Sequence, residues 1–159
     1  RKIIQKDDMI IFDIHPMYNL YLGDQATNAI IGKPNDKQMR LIDAWKEGVH
    51  VLVDSLRPGV VGREIASKMI SLVKKKGFKE QTVSLFGHGL GTTSRMPPTI
   101  TLDCNIVLQP NMIVEAVLNI TQPGVGGMRL ETPVRVTENG PEMLSKLPLD
   151  IMVKGIDCL

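Results

Sequence analysis

The sequence predicts an α+β domain, a curved and mainly antiparallel sheet with its helices gathered on one face. Three observations carry that prediction. Apolar strand-like runs open the chain and dominate its second half. Two amphipathic helical stripes follow one another without a strand between them. No βαβ alternation, short-period repeat or low-complexity segment appears. With 159 residues, 43% of them hydrophobic, the chain is one domain's worth with material for a real core.

Residues 1–8 read as a polar turn in which Asp7 and Asp8 are solvated. Residues 9–34 then form a hairpin-like stretch, MIIFDIHPMYNLYLGDQATNAIIGKP. Its first arm, Met9 to Ile14, is apolar except for Asp13, and its second arm carries Asp24 just after Gly23. A return centred on Asn19 brings Asp13 and Asp24 opposite each other. Pro16 and Gly23 break any helical period here, and the flanking Ile, Phe and Tyr favour strands.

The breaker cluster Gly32-Lys33-Pro34-Asn35-Asp36 leads into a helix over residues 36–56, with Leu41, Ile42, Trp45, Val49, Leu52 and Leu56 on one stripe. His50 sits beside that stripe as an ordinary surface or boundary residue. After Arg57-Pro58-Gly59, a second helix over residues 63–76 buries Ile65, Met69, Leu72 and Val73. Lys74, Lys75 and Lys76 close it against the helix dipole and Gly77 caps it, so the lysine run is a helix end and not a nucleic-acid patch.

A short strand over residues 82–86 runs into Gly87-His88-Gly89-Leu90-Gly91, where the glycines leave the imidazole room to reach a shared centre. Residues 95–99, with two prolines, read as loop. Residues 112–120 form a long strand holding Glu115. Residues 122–127 turn, residues 128–137 form a strand holding Glu131, and Glu138-Asn139-Gly140 is a hairpin turn. Met143, Leu144 and Leu147 close the core.

The formal charge of +2 is too balanced to imply a nucleic-acid or lipid partner. No apolar run reaches the ~20 residues needed to span a bilayer, and no signal-peptide pattern opens the chain. Cys104 and Cys158 lack metal-type spacing and read as inert thiols in a reducing, cytoplasmic setting. The abrupt start, without Met, is expected of a fragment.

A carboxylate inside an apolar strand is costly to bury unless a positive group meets it. Two that converge repel each other, and a divalent cation relieves both costs. Asp13, Asp24, His88 and Glu131 all fall on strands or strand ends, and an oxygen-rich set with one imidazole suits Mn²⁺, Fe²⁺ or Co²⁺. Spacing alone equally allows four polar residues scattered along strands.

These motifs resemble the pita-bread family of creatinase, prolidases, Xaa-Pro aminopeptidases and methionine aminopeptidases (peptidase M24), and most closely its Xaa-Pro dipeptidase branch. The eleven-residue spacing of Asp13 and Asp24 is similar to the family's first aspartate pair. The Gly87-to-Gly91 loop resembles its Gly-His-Gly-hydrophobic-Gly motif, and Leu108-Gln109-Pro110-Asn111-Met112 its Leu-x-Pro-Gly-Met strand entry. Gly126 to Glu131 and Val136 to Gly140 resemble its prolidase-like ending. The match runs over about residues 5–148. The resemblance implies a pita-bread fold of which this chain is the C-terminal portion, the upstream half and any N-terminal domain being absent. It also implies Asp13, Asp24, His88 and Glu131 as metal ligands, with Glu131 bridging.

Three departures stand out. Val117 occupies the position of a further Glu ligand in metal-dependent members, and Leu118 that of the Pro after it. Glu115, two residues earlier on the same strand face, is a possible substitute ligand or else a surface or ion-paired residue. Arg95 stands where peptidases carry a second catalytic His; it retains the charge to stabilise an oxyanion but not a neutral proton carrier's chemistry. Thr92 stands where prolidases carry a further His.

The resemblance therefore implies a metal-dependent hydrolase of the Xaa-Pro dipeptidase or aminopeptidase type, with His88 and Arg95 as catalytic residues and an atypical site. Its cofactor is Mn, Co or Fe, as one ion or two, and the altered ligand set also allows none. A small peptide or a carboxylate-bearing small molecule is the expected partner, and a homodimer is compatible. The alternatives are a creatinase-like small-molecule hydrolase or lyase, for which Arg95 suits an anionic substrate, and a catalytically inactive pita-bread binding protein.

Overall fold

Two sheet faces of opposite chemistry organise the molecule. The computed structural model describes residues 2–78 and 84–154. Along the strand Ile113–Gln122, Val114, Ala116, Leu118 and Ile120 point to a continuous hydrophobic core. The alternate residues Glu115, Val117 and Asn119 are equally buried but stand outside it. Period-two alternation is what separates them.

The strands and helices in chain order are β1 (Met9–Ile14), β2 (Met17–Tyr18), β3 (Tyr21–Leu22), β4 (Gln25–Ile31), α1 (Asp36–Ser55), α2 (Gly62–Lys75), β5 (Gly87–Gly89), β6 (Met96–Thr99), β7 (Ile113–Gln122), β8 (Gly126–Thr137), β9 (Gly140–Met143) and β10 (Ile151–Lys154). The main sheet has the order β1-β4-β8-β7-β5-β6, with β9 on β8 and β10 on β4; β2 and β3 form a separate ribbon at the hairpin tip. The pairings are antiparallel apart from β10 on β4, which is parallel and which the sequence pattern does not foretell.

Helix α1 starts where predicted. Asn35 caps it, its side chain accepting from the Lys37 and Gln38 backbone N–H groups while Gln38 returns a bond to the Asn35 N–H. The stripe Leu41, Trp45, Val49 and Leu52 is fully buried against β7 and β8, each large side chain contributing about 1.5–3 kcal/mol of burial. Gly48 permits the close crossing, since a Cβ there would lie 2.7 Å from Leu118 Cδ2. Helix α2 buries Ile65, Met69 and Val73, and Lys76 beyond its end pairs with Glu47 of α1. His50 is exposed and Cys104 is a buried free thiol, whereas Cys158 lies outside the described residues.

Several boundaries differ from expectation. Of the strand expected over residues 82–86, positions 82 and 83 lie outside the described residues and Ser84 to Phe86 form no strand. Instead Gly87-His88-Gly89 is itself the strand, clasped between β6 and β7. Only glycines fit there. A Cβ on Gly87 would lie 2.7 Å from the Glu115 carbonyl oxygen, and one on Gly89 would strike the Pro97 carbonyl oxygen. The two-proline segment expected as loop is strand β6, tolerated because it is the sheet's outermost strand, where missing N–H donors face no neighbour. Of the closing segment, Met143 packs on the core but Leu144 and Leu147 remain about half exposed.

Candidate metal centre

The site grows out of strand register. Asp13 pairs with Ala26 across β1–β4, Ala26 with Glu131 across β4–β8, and Glu131 with Val117 across β7–β8. Two residues back along β7, Glu115 pairs with His88 of β5. Period-two alternation therefore sets Asp13, Glu131, Val117, Glu115 and His88 on one face, the one turned away from the helices.

Asp24 reaches the same face by a register the sequence does not reveal. The expected return on Asn19 places Asp24 opposite Asp13. The hairpin instead turns through Asn19 and Leu20, both with positive φ (46° and 66°), so Tyr18 pairs with Tyr21. Asp13 then lies opposite Ala26, and Asp24, just before β4, falls by the same count opposite His15. The offset is two positions, which keeps both aspartates on one face as diagonal neighbours.

His15 stands between them. Its Nε2 is 3.0 Å from Asp13 Oδ1 and its Nδ1 is 3.3 Å from Asp24 Oδ1. Asp13, His15, Asp24 and Glu131 each offer one donor atom, all within 4.8 Å of one another. Sequence reasoning overlooks His15. The available signal is its place two residues beyond Asp13, on the same face.

Arg129 anchors the cluster from within β8. Its Nε lies 3.1 Å from Asp13 Oδ2 and its Nη2 lies 2.5 Å from Glu131 Oε1. Its backbone is held in turn by Asn28, whose side chain accepts from Arg129 N–H and donates to Arg129 C=O, both at 2.8 Å. Gln25 Nε2 donates to the Glu131 carbonyl oxygen at 2.7 Å. Side-chain amides from β4 thus stitch it to β8, where the register itself supplies the single pair Ala26–Glu131.

His88 is buried, and its Nδ1 meets the Gly89 carbonyl oxygen at 3.1 Å. With Nδ1–H donating, Nε2 keeps its lone pair and faces Asp24 Oδ2 at 3.8 Å. Burial foremost lowers the His88 pKa, with the Arg95 and Arg129 charges acting in the same sense, so the ring is neutral at physiological pH. Arg95 itself is exposed, immediately before β6. Neutral imidazole is the form that ligates metals.

The carboxylates are out of balance without a cation. Burial, then the charge of Asp24, pushes Glu131 up to about 8 despite Arg129. Glu115 is fully buried; desolvation, then Asp24 and Glu131, push it up to about 10. It is not on the surface, and among the described residues it has no ion pair and neither of its oxygens has a hydrogen-bond partner, as is true of Asp24 Oδ1 and Glu131 Oε2. Glu115 stands outside the four-residue donor group. Asp13, Asp24 and Glu131 carry three formal negative charges and Arg129 returns one. The remaining two match a single divalent ion. The donor set thus fits one cation of the oxygen-preferring kind, and Val117 gives the β7 side no carboxylate at the position opposite Glu131.

The sheet face turned away from the helices gathers carboxylates and histidines, some buried and some at its edge, in an arrangement of the metal-binding class. The profile described as Metallopeptidase family M24 matches residues 1–138, and the chain belongs to that family of divalent-metal-dependent peptidases with the pita-bread fold. It is similar to the Xaa-Pro dipeptidase of Pyrococcus furiosus, at 28% identity over 95% of this chain and 43% of the relative. Among solved structures it resembles the Xaa-Pro dipeptidase from Bacillus anthracis, with a TM-score of 0.91 and 28% identity over 96% of this chain and 43% of that one. The X-Pro aminopeptidase from Thermotoga maritima gives 0.90 and 27%, over 96% and 44%. The chain therefore spans less than half the length of these relatives.

Proposed function

We propose that the chain is the metal-binding, C-terminal portion of a pita-bread hydrolase of the Xaa-Pro dipeptidase or aminopeptidase type, acting on small peptides in the cytoplasm. The observation that carries this reading is the four-residue donor group of Asp13, His15, Asp24 and Glu131, with buried Asp24 and Glu131 each keeping an oxygen without a hydrogen-bond partner. Mn²⁺, Co²⁺ or Fe²⁺ suits such donors. A divalent cation held there supplies Lewis-acid polarisation of a peptide carbonyl and makes a water more acidic. The chain's own residues hold the carboxylates and keep His88 neutral, and in this reading Arg95, whose charge is felt at His88, serves a substrate carboxylate or a developing oxyanion.

The test is release of free amino acid from a panel of Xaa-Pro dipeptides by the protein equilibrated with Mn²⁺. Turnover that disappears with chelator and in Asp24→Asn supports the reading. Bound metal without turnover above the blank favours the second reading, a binding protein or an enzyme for another carboxylate-bearing substrate. Val117 opposite Glu131, and Arg95 in place of a histidine, are the features on its side.

A further inference from the structure

The donor group is not centred where the family pattern would centre it. His88, the histidine which that pattern assigns to the metal, approaches a carboxylate of the cluster only at 3.8 Å, from Asp24 Oδ2. His15, which no motif assigns, meets Asp13 Oδ1 at 3.0 Å and Asp24 Oδ1 at 3.3 Å.

We propose that His15 is a metal ligand, which with Asp13, Asp24 and Glu131 forms one principal divalent-cation site at the β1–β4 end of the sheet. The proposal rests on the metallohydrolase reading and adds to it which residues carry the ion.

The carboxylate oxygens are already sorted for that task. Arg129 takes Asp13 Oδ2 and Glu131 Oε1. That leaves Asp13 Oδ1 beside His15, and Asp24 Oδ1 and Glu131 Oε2 buried without hydrogen-bond partners. Two ligands about 2.1 Å from one ion and at right angles lie about 3 Å apart, the separation of His15 Nε2 from Asp13 Oδ1; the ring ligates through one nitrogen only, and one donor atom from each of the four residues lies within 4.8 Å of the others. The second observation is that Asp24 and Glu131, each more than nine-tenths buried, keep an oxygen with no hydrogen-bond partner among the described residues; Glu115, the cross-strand partner of His88, stands on the β7 side and is not counted towards this site.

Towards β7 the set runs out. Val117 offers no donor opposite Glu131, so His88 and Glu131 on that side have one carboxylate fewer to share an ion. An imidazole on the β1 side restores a fourth protein donor without altering the sheet. His15 is half-exposed, so an ion held there would be open to water on that edge.

The test compares Co²⁺ binding by the whole chain with that of His15→Gln and His88→Gln, measured by calorimetry and by X-ray absorption at the cobalt edge. Loss of 10–100-fold in affinity and of imidazole scattering in His15→Gln, with less than threefold change in His88→Gln, is the expected result. Circular dichroism checks that both variants fold, and His15, being half-exposed, is the safer substitution. Wild-type affinity and an unchanged edge spectrum in His15→Gln, with the loss falling on His88→Gln, would place the ion on the β7 side and overturn the proposal while leaving the hydrolase reading intact. No Co²⁺ bound by the wild-type chain would overturn both.

Discussion

Val117 and Glu131 are partners across the β7–β8 ladder, so a buried carboxylate faces an isopropyl group where a second carboxylate would complete a two-ion site. Val117→Glu supplies that carboxylate. Without metal it adds a buried anion beside Glu131, and stability should fall by about 3 kcal/mol. With Mn²⁺ the loss should be recovered and the ion content after desalting should rise towards two equivalents. Thermal melts with and without Mn²⁺, beside metal analysis, check it.

Arg129 bridges Asp13 and Glu131 with two different nitrogens, so its contribution is geometric as well as electrostatic. Arg129→Met should weaken Mn²⁺ binding by 10–100-fold. Arg129→Lys should restore little of it, because an ammonium cannot span both carboxylates as the guanidinium fork does. Calorimetric titration of the two variants decides between this and a simple charge effect, in which loss of the positive charge would tighten Mn²⁺ binding in Arg129→Met and Arg129→Lys would bind like wild type.

Glu115 gives the metal-free protein an inverted pH dependence. Its folded pKa, about 10, lies far above the ordinary carboxylate value. Between the two values the folded state holds a proton that the unfolded state has released, so stability falls as pH rises, by up to about 1.4 kcal/mol per pH unit. From about pH 7.5 to 9 His88, whose folded pKa is lowered from an ordinary value near 6.5, is largely neutral in both states and adds little slope. Glu131 contributes in the same sense until about pH 8. Glu115→Gln should therefore flatten the decline across this window, measured by urea unfolding in the presence of chelator. A slope equal to wild type would count against a protonated Glu115.

Gly89 has no room for a side chain against the β6 backbone. Gly89→Ala should cost about 2–3 kcal/mol through forced separation of β5 and β6, and should displace His88. Denaturant unfolding reads the first effect, and the chemical shifts of the His88 ring read the second.

Much was legible in the chain itself. Helix α1 and its cap, helix α2, and strands β7 and β8 follow from apolar periodicity and local hydrogen-bonding residues, which are properties of short segments. The family resemblance singles out Asp13, Asp24, His88 and Glu131 as candidates, and of these the sheet brings Asp13, Asp24 and Glu131 into one donor group. Register, by contrast, is set by long-range packing. The turn through Asn19 and Leu20 sets Asp24 against His15 rather than Asp13, and the close approach of β6 makes a strand of Gly87-His88-Gly89. A count of residues cannot show which carbonyl a glycine must clear, or that an unremarked histidine stands between two aspartates. Those facts depend on strands far apart in sequence, and their alignment is settled by the packing of the whole sheet.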